Sequence, residues 1–306
     1  MRIRFSSQTK RQGRRLFKRL VRTFFPDPVY VAKSGLARGF KLTGDLGYLG
    51  KLSTRRNRFL LSLNLAQQTV YDIGSYIGVT TLFFSKAVGP TGQVVAFEPN
   101  PETFPLLCKN VEMNGLKNAK LCNVRLDRKR EKVAVAFCDR DDVWGTVVGP
   151  AGAGTFPSDA LKTEAIPMEV YPLDEYVDAA SLPPPDFIKM DAEGYEFDVL
   201  LGMQNILRQH SPGLLVEIHG ETEMRLPNLR KIVEFLLTLN YDIREMHSRR
   251  RIADGSQIRR ARHVFCRPEG QIVHASILVA PPPELSPHGI LDRGDQVAQE
   301  LKRIPQ

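Results

Sequence analysis

The stretch VYDIGSYIGVTTLFFSK, from Val70 to Lys86, joins two apolar runs through a pair of glycines. The first run has the length and β-branched character of a buried strand, and the second is typical of an apolar helix. Glycines between a strand and a helix allow a tight turn and a close approach of the backbone to a ligand. The stretch therefore predicts the cofactor-binding strand, turn and helix of an α/β protein.

The chain beyond this stretch alternates between strand and helix patterns. We predict strands at 69–73, 93–98, 119–124, 186–191 and 214–219, and helices at 77–88, 101–113, 196–209 and 226–240. Two further strands are predicted at 241–246 and 272–280. Near-continuous apolar strands such as QVVAFE and LLVEI are typical of a parallel sheet that helices cover on both faces. The pattern predicts a doubly wound, Rossmann-like α/β fold.

The length of 306 residues, with 42% hydrophobic and 25% charged residues, fits one globular α/β domain with extensions. We predict a basic N-terminal helical extension over 1–66, a domain over 67–280 and a polar tail over 281–306. No apolar run approaches the roughly 20 residues that cross a bilayer, and a cleaved signal peptide is not expected. Four widely spaced cysteines favour reduced thiols and a cytoplasmic protein.

Residues 1–26 hold nine Lys or Arg and no acidic residue, so they account for the whole formal net charge of +9. Apolar residues recur between the basic ones at helical spacing, and Pro26 would end such a helix. A basic amphipathic helix can lie on an anionic membrane surface, here the inner face of the membrane, or on nucleic acid. It can equally pack its apolar face on the domain, and the sequence leaves these alternatives open.

Two irregular segments carry residues of interest. Residues 139–165 are rich in Gly, Pro, Asp and Thr and are predicted to form a long loop at the mouth of the site. Trp144 in this segment fits a sugar-stacking side chain or a loop anchor. Residues 248–262 hold six Arg and one Asp, which favours a solvated loop over a site for an anionic substrate. No aromatic interleaving accompanies them, which counts against nucleic acid.

The turn itself argues for a particular cofactor. Its pattern, from Asp72 through Gly74 and Ser75 to Gly78, lacks the third glycine of a dinucleotide-binding turn, and Asp72 would repel a phosphate. S-adenosylmethionine instead carries an ammonium and a sulfonium, which suit a carboxylate. Glu98 follows Gly78 by twenty residues and can accept both hydroxyls of a ribose. A turn that only packs a helix on a sheet is the alternative.

Four blocks of the sequence resemble the FkbM-type methyltransferases. In chain order they are the stretch from VYDIGSYIG to GLKNAKL, residues 70–121, then PLDEYV, DFIKMDAEGYEFDVLLGMQNIL and LLVEIHG. The resemblance covers residues 70–220 and implies a class I S-adenosylmethionine-dependent methyltransferase fold with a seven-stranded sheet. It implies O-methylation of sugars, polyketides or other small metabolites.

The same resemblance implies roles for individual residues. It implies cofactor contacts at Asp72, Gly74, Gly78 and Glu98, and a D-x-E-G block facing the transferred methyl at Asp191, Glu193 and Gly194. Tyr76 departs from the Asn usual in the family, which tolerates a left-handed backbone better.

Asp191 is the first candidate for the chemistry. Methyl transfer needs the acceptor oxygen held close to the methyl and relieved of its proton. Asp191 is expected at the carboxyl end of its strand, next to the cofactor, where it can orient the acceptor or take this proton. Alternatively, the carboxylate of Asp191 caps the next helix or binds Lys189. For Lys189 and Tyr195 themselves, a packing role is sufficient.

Glu217 and His219 lie two residues apart on a predicted strand, so their side chains share one face. Together with Asp191 they can bind a divalent metal such as Mg²⁺, which would lower the pKa of the acceptor. Alternatively His219 is the general base without a metal, or the three residues only form hydrogen bonds.

The leading hypothesis is an S-adenosylmethionine-dependent O-methyltransferase acting on a hydroxylated small molecule, a carbohydrate or a glycolipid. The first alternative is a nicotinamide-dependent oxidoreductase, against which the missing glycine and Asp72 count. The second is a methyltransferase-like binding module without turnover, against which Glu98 and Asp191 count. The identity of the acceptor cannot be predicted from the sequence, because the residues that contact it lie in loops without a recognisable motif.

Overall fold

A computed structural model gives the fold and describes residues 28–45, 48, 54–140, 143–148, 166–219, 222–257 and 263–269. The strands of the described residues are β1 (Tyr30–Val31), β2 (Lys41–Leu42), β3 (Thr69–Ile73), β4 (Gln93–Phe97), β5 (Ala119–Cys122), β6 (Arg125–Leu126), β7 (Glu131–Arg140), β8 (Val143–Val148), β9 (Ile166–Tyr171), β10 (Phe187–Met190), β11 (Gly213–Glu217), β12 (Tyr241–Glu245) and β13 (His263–Pro268). The α-helices are α1 (Arg55–Leu61), α2 (Val79–Val88), α3 (Phe104–Met113), α4 (Leu173–Ala179), α5 (Glu196–Leu201), α6 (Gln204–Gln209) and α7 (Thr222–Thr238).

Seven strands form the central sheet, in the order β12-β13-β11-β10-β3-β4-β5. Only β13 runs against its neighbours, and the other six strands share one direction. This arrangement confirms the predicted doubly wound, class I methyltransferase-like sheet. The strand order reverses at β3, which has β4 on one side and β10 on the other. Ligands of open α/β sheets bind beyond the carboxyl ends of the strands at such a switch point.

Two hydrophobic cores cover the two faces of this sheet, because alternate strand residues point to opposite sides. Val70 and Val94 are fully buried in the core that includes residues of α1, α2 and α3. Tyr71 and Val95 are fully buried in the opposite core, which includes residues of α4, α5, α6 and α7. Apolar side chains on both faces explain why these strands read as continuous hydrophobic runs.

The segment before β3 packs against the first of these cores. Ala32, Leu42 and Leu60 are buried there together with residues of α2. The side chain of Asn110 in α3 accepts a hydrogen bond from the backbone N–H of Thr43 at 2.8 Å and donates to its carbonyl at 3.2 Å. The domain boundary at residue 66 stays a prediction, and the proposed basic helix within 1–26 lies outside the described residues.

The strands end slightly earlier than the sequence predicts. Strands β4, β10 and β11 end at Phe97, Met190 and Glu217. Glu98, Asp191 and His219 therefore lie just beyond the sheet, on the connections that lead away from it. The orientation of their side chains is therefore not restricted by the alternation of a β-strand.

The predicted helix over 196–209 divides into α5 and α6 at Gly202. A Cβ at this position would lie 2.1 Å from the peptide oxygen of Asp127. The close contact with the connection after β6 therefore requires a glycine here, and the helix does not continue through it.

The prediction of a long loop over 139–165 is wrong for its described part. Residues 139 and 140 end β7, and Trp144 lies in β8, which pairs with β7 as an antiparallel hairpin. These strands belong to a second sheet, in the order β6-β9-β7-β8. Its β-branched residues were overlooked because the glycines and aspartates around them resemble loop composition. Residues 141–142 and 149–165 lie outside the described residues.

The last strand of the central sheet is β13 and begins directly after the arginine-rich segment. This strand, His263–Pro268, pairs with both β11 and β12 and is not among the predicted strands. The strand predicted at 272–280 lies outside the described residues. The shorter apolar run HVFC was overlooked because charged residues flank it on both sides. In the described part of the chain, no helix is both long and apolar enough to cross a membrane.

Candidate active site

The turn after β3 contains two glycines in the left-handed region. Gly74 has a φ of 74° and Gly78 a φ of 91°. A Cβ on Gly74 would lie 1.9 Å from the peptide oxygen of Asp191, so only glycine lets the connections after β3 and β10 approach this closely. Gly78 is the N-cap of α2. The turn therefore presents bare backbone at the carboxyl edge of the sheet.

Tyr76 adopts the left-handed conformation that an Asn at this position would tolerate better. Its φ is 52°, which costs about 1–2 kcal/mol for a side chain of this kind. The backbone N–H of Tyr76 donates a hydrogen bond of 2.7 Å to Oε2 of Glu98. The turn thus keeps its left-handed shape despite the tyrosine, and it is tied to the next strand.

Ser75 and Asp72 stabilise the turn through hydrogen bonds to buried groups of the protein. The hydroxyl of Ser75 donates to the backbone oxygen of Asp72 at 2.8 Å. The carboxylate of Asp72 is fully buried, and its Oδ2 accepts from the hydroxyls of Thr80 and Thr81, each at 2.7 Å. Its Oδ1 lies 3.4 Å from Nζ of Lys189. Direct contacts of Asp72 and Ser75 with the cofactor stay predictions, because in the structure both side chains bind the protein itself.

Glu98 lies one residue beyond β4 and is 5% exposed. Its Oε1 accepts hydrogen bonds from the N–H of Asn100 at 3.0 Å and from the hydroxyl of Thr103 at 2.8 Å. Burial raises the pKa of Glu98, although these hydrogen bonds oppose the rise. The carboxylate is therefore fixed in one orientation beside the glycine turn, the position expected of a group that binds a ribose.

The carboxylate of Asp191 lies among three nitrogen groups. Its Oδ2 is 3.5 Å from Nζ of Lys189 and 3.7 Å from Nη1 of Arg56, and its Oδ1 is 3.4 Å from Nε2 of His219. Oδ1 accepts no hydrogen bond from the described residues. The three nitrogen groups thus hold the carboxylate in place, and its buried Oδ1 faces the imidazole of His219.

His219 is bound by a carboxylate at each ring nitrogen. Its Nδ1 lies 3.1 Å from Oε1 of Glu196, and its Nε2 faces Asp191, with Glu193 and Glu217 each 3.8 Å away. Burial lowers the pKa of His219, but the hydrogen bond to Glu196 and the charges of Asp191 and Glu193 outweigh it and raise the pKa to about 10. The imidazole is protonated at neutral pH, which disfavours His219 as the general base.

The D-x-E-G block leaves β10 through two left-handed residues. Glu193 has a φ of 50° and Gly194 a φ of 102°. This turn directs Glu193 towards His219, and burial raises the pKa of Glu193 to about 7 against the lowering effect of His219. Glu193 is therefore a second carboxylate near Asp191 that can exchange a proton close to neutral pH.

Several side chains at the site were not predicted. Lys189, predicted only to pack or to bind Asp191, is 3% exposed and also donates to the carbonyl of Gly74 at 2.8 Å. Glu196 is fully buried and accepts a hydrogen bond from the N–H of Gly194 at 2.9 Å. His263 lies 3.2 Å from Glu217. A lysine inside the apolar strand FIKM was a readable signal, because an unpaired buried lysine is costly.

Arg56 reaches the site from α1, far from any recognised motif. Its Nη1 donates to Oε2 of Glu217 at 2.5 Å. Burial raises the pKa of Glu217, but His263 and Arg56 outweigh it and hold the pKa well below its usual range. No local sequence pattern links residue 56 to residue 217, so only the fold could identify this pair.

The three predicted metal ligands do come together. Asp191, Glu217 and His219 each offer a ligand atom within 4.8 Å of the others. However, Arg56 already binds Glu217, and Nζ of Lys189 lies 3.5 Å from Asp191. A divalent ion needs deprotonated ligands at roughly 2.0–2.6 Å. The arrangement therefore does not fit a resident divalent ion.

Comparison with known proteins gives two relatives with curated names. The chain is 28% identical over 164 residues to the hexuronic acid methyltransferase AglP of Haloferax volcanii, which covers 53% of this chain and 61% of the relative. It is 24% identical over 146 residues to methyltransferase 1 of Beauveria bassiana, with coverage of 44% and 58%. The chain thus matches about three fifths of the length of each relative.

Among solved structures, the chain is similar to the methyltransferase FkbM from Methylobacillus flagellatus, with a TM-score of 0.42 and 17% identity over 65% of this chain and 43% of the other. The model of the methyltransferase FkbM domain family matches residues 72–243, more than half of the chain. This range contains the glycine turn, Glu98, the D-x-E-G block and His219. The chain belongs to the FkbM methyltransferase family.

Proposed function

We propose that the chain is an S-adenosylmethionine-dependent O-methyltransferase whose acceptor is a hydroxylated small molecule or a carbohydrate, free or lipid-linked. One observation carries the proposal. The peptide oxygen of Asp191 packs against Gly74, and the side chain of Asp191, which is 19% exposed, places its carboxylate beside this turn. A proton-accepting group thus lies directly at the expected cofactor turn.

The residues at the turn fit the cofactor. The backbone of Gly74 and Gly78 leaves room for its amino-acid end, and the oriented carboxylate of Glu98 suits its ribose. When bound, S-adenosylmethionine supplies an electrophilic methyl group on a sulfonium. The buried pair of Asp72 and Lys189 keeps the ends of β3 and β10 together beneath this position.

Asp191 would perform the proton transfer. Its carboxylate would accept a hydrogen bond from the acceptor hydroxyl and take the proton that this oxygen loses on methylation. Lys189 and protonated His219 flank the carboxylate and hold it in place. Glu196 orients His219 in turn through Nδ1.

The carbohydrate part of the proposal is supported by the name of a relative, the hexuronic acid methyltransferase of Haloferax volcanii. A sugar offers several hydroxyls, of which one can reach Asp191 while others bind neighbouring polar groups. The second sheet, which is inserted between β5 and β10, is a natural place for such contacts, because inserted elements vary between enzymes that share a fold.

Calorimetry tests the cofactor first. The purified protein should bind S-adenosylmethionine and S-adenosylhomocysteine and should not bind NADH. A screen with methyl-labelled cofactor against hexuronic acids, neutral sugars, glycolipids and small phenols should then give transfer to a hydroxyl. Tight NADH binding without binding of S-adenosylmethionine would reject the proposal.

A further inference from the structure

Arg56 enters the site from outside the residues that match the family. Helix α1 begins after Thr54, whose side chain accepts a hydrogen bond from the N–H of Asn57 at 3.1 Å and caps the helix. Phe59 of α1 packs edge-to-face on Phe265 of β13, with ring centroids 5.0 Å apart. The helix is therefore anchored on the strand next to β11 and holds Arg56 above Glu217.

The guanidinium of Arg56 lies between two carboxylates of the site. Its Nη1 is 2.5 Å from Oε2 of Glu217 and 3.7 Å from Oδ2 of Asp191. Its side chain is 29% exposed, so the group is held at the edge of the crevice and is partly screened from water. A guanidinium is not deprotonated in proteins, so Arg56 carries a fixed positive charge here.

A guanidinium and a divalent cation compete for the same carboxylate oxygens here. Asp191 and Glu217 would both have to contribute to any metal site formed with His219. A fixed positive charge at this distance repels a second cation, and the guanidinium already donates a hydrogen bond to Glu217. Without Arg56, the two carboxylates and the imidazole of His219 would face each other, with Lys189 close to Asp191 and His263 close to Glu217.

We propose that Arg56 is the resident counter-cation of Asp191 and Glu217, occupies the place of a divalent metal, and positions Asp191 for proton transfer. The positioning part rests on the proposed function, whereas the metal part does not. The chain supplies its own cation from a helix that precedes the matched domain, and the reaction then requires no metal. Arg56 acts through Asp191 and is a positioning residue.

The test compares the wild-type chain with Arg56→Ala and Arg56→Lys, using Arg58→Ala as the matched control on an exposed position of the same helix. Each protein is titrated with Mn²⁺, and binding is measured by calorimetry and by the electron paramagnetic resonance signal of the free ion. The wild type and Arg58→Ala should show no specific site. Arg56→Ala should gain a site that a further Glu217→Gln exchange removes. Specific Mn²⁺ binding to the wild type that Glu217→Gln abolishes would overturn the proposal.

Activity supplies the second readout. Chelator should leave the wild-type rate unchanged. Arg56→Ala should lower kcat by about 10²-fold with little change in the cofactor KM, since a misplaced catalytic group can cost this much. Guanidinium ion added to Arg56→Ala should restore part of the rate, and Arg56→Lys should retain part of it, which a purely structural role would not produce. A full rate in Arg56→Ala would contradict positioning. If the wild type transfers no methyl group to any acceptor, the proposed function is contradicted. The Mn²⁺ titration would still decide whether Arg56 is the counter-cation of Asp191 and Glu217.

Discussion

The peptide oxygen of Asp191 occupies the space that a Cβ atom at position 74 would need. A Cβ at position 74 would come within 1.9 Å of that oxygen, and the backbone N–H of Asp191 donates to the carbonyl of Ile73 at 3.0 Å. The expected cofactor turn and the candidate catalytic carboxylate are thus joined through their backbones. A change at either connection should affect the other.

Gly74→Ala should lower the free energy of unfolding by about 2–5 kcal/mol, the sum of left-handed strain and overpacking against backbone that cannot move aside. Gly115→Ala is the matched control, because Gly115 also has a positive φ, of 65°, but an added Cβ would meet nothing within 4 Å. Urea denaturation checks both variants. Equal losses in the two proteins would show that the contact with Asp191 contributes nothing.

Glu98→Ala should weaken S-adenosylmethionine binding by about 1–3 kcal/mol if Glu98 binds the ribose as proposed, because two charge-assisted hydrogen bonds would then be lost. Calorimetry measures the effect, and circular dichroism establishes that the variant is folded. Glu102→Ala, on an exposed position nearby, should bind as the wild type does. Unchanged affinity in folded Glu98→Ala would remove Glu98 from the site.

His219 should make stability depend on pH in a defined direction. Its pKa is raised from 6.5 to about 10 in the folded chain. A raised pKa means that the folded state holds the proton more tightly, so the stabilisation is fully present below the unfolded pKa of about 6.5 and is lost as the pH rises through about 10.

Urea denaturation of the wild type and His219→Gln measures this effect. The difference in unfolding free energy between the two proteins should be largest near pH 6 and should shrink towards pH 10. A difference that grows with pH would mean that His219 is neutral in the folded protein, and would return it to consideration as the general base.

Liposome binding distinguishes the two alternatives for residues 1–26, a helix on an anionic membrane surface and a helix packed on the domain, and the first is the one with a positive result to expect. The full chain should bind liposomes that contain anionic lipid and should dissociate as the salt concentration rises, since the attraction is screened. A truncated chain that starts at Asp27 should remain folded and lose this binding. Identical behaviour of the two proteins on liposomes would favour a helix that packs on the domain.

The sequence was most informative where the periodicity of apolar residues and the turn-forming glycines indicate the same element boundary. Strand β3 was predicted to the residue, because an apolar run ends at a glycine turn. The carboxyl-end residues Glu98, Asp191 and His219 followed from strand direction alone. The hairpin of β7 and β8 was missed because pairing between its strands, rather than local composition, determines its structure.

The charge network of the site was less predictable. Lys189 and Asp72 lie opposite each other in the register of β10 and β3, a relation between residues that are 117 positions apart. Arg56 and Glu217 are 161 positions apart. Such pairs depend on how the elements pack, and a single sequence carries no local signal for them.

The role of Asp191 is tested most directly by methyl transfer from labelled S-adenosylmethionine to an acceptor found in the screen, measured for the wild type and Asp191→Asn. The exchange keeps the size of the side chain but removes the charge and the capacity to take a proton. Turnover should fall by about 10²–10⁴-fold, the range expected for loss of a general base, while the cofactor affinity changes only a few-fold. Full turnover in folded Asp191→Asn would contradict the assignment of Asp191 as the proton acceptor.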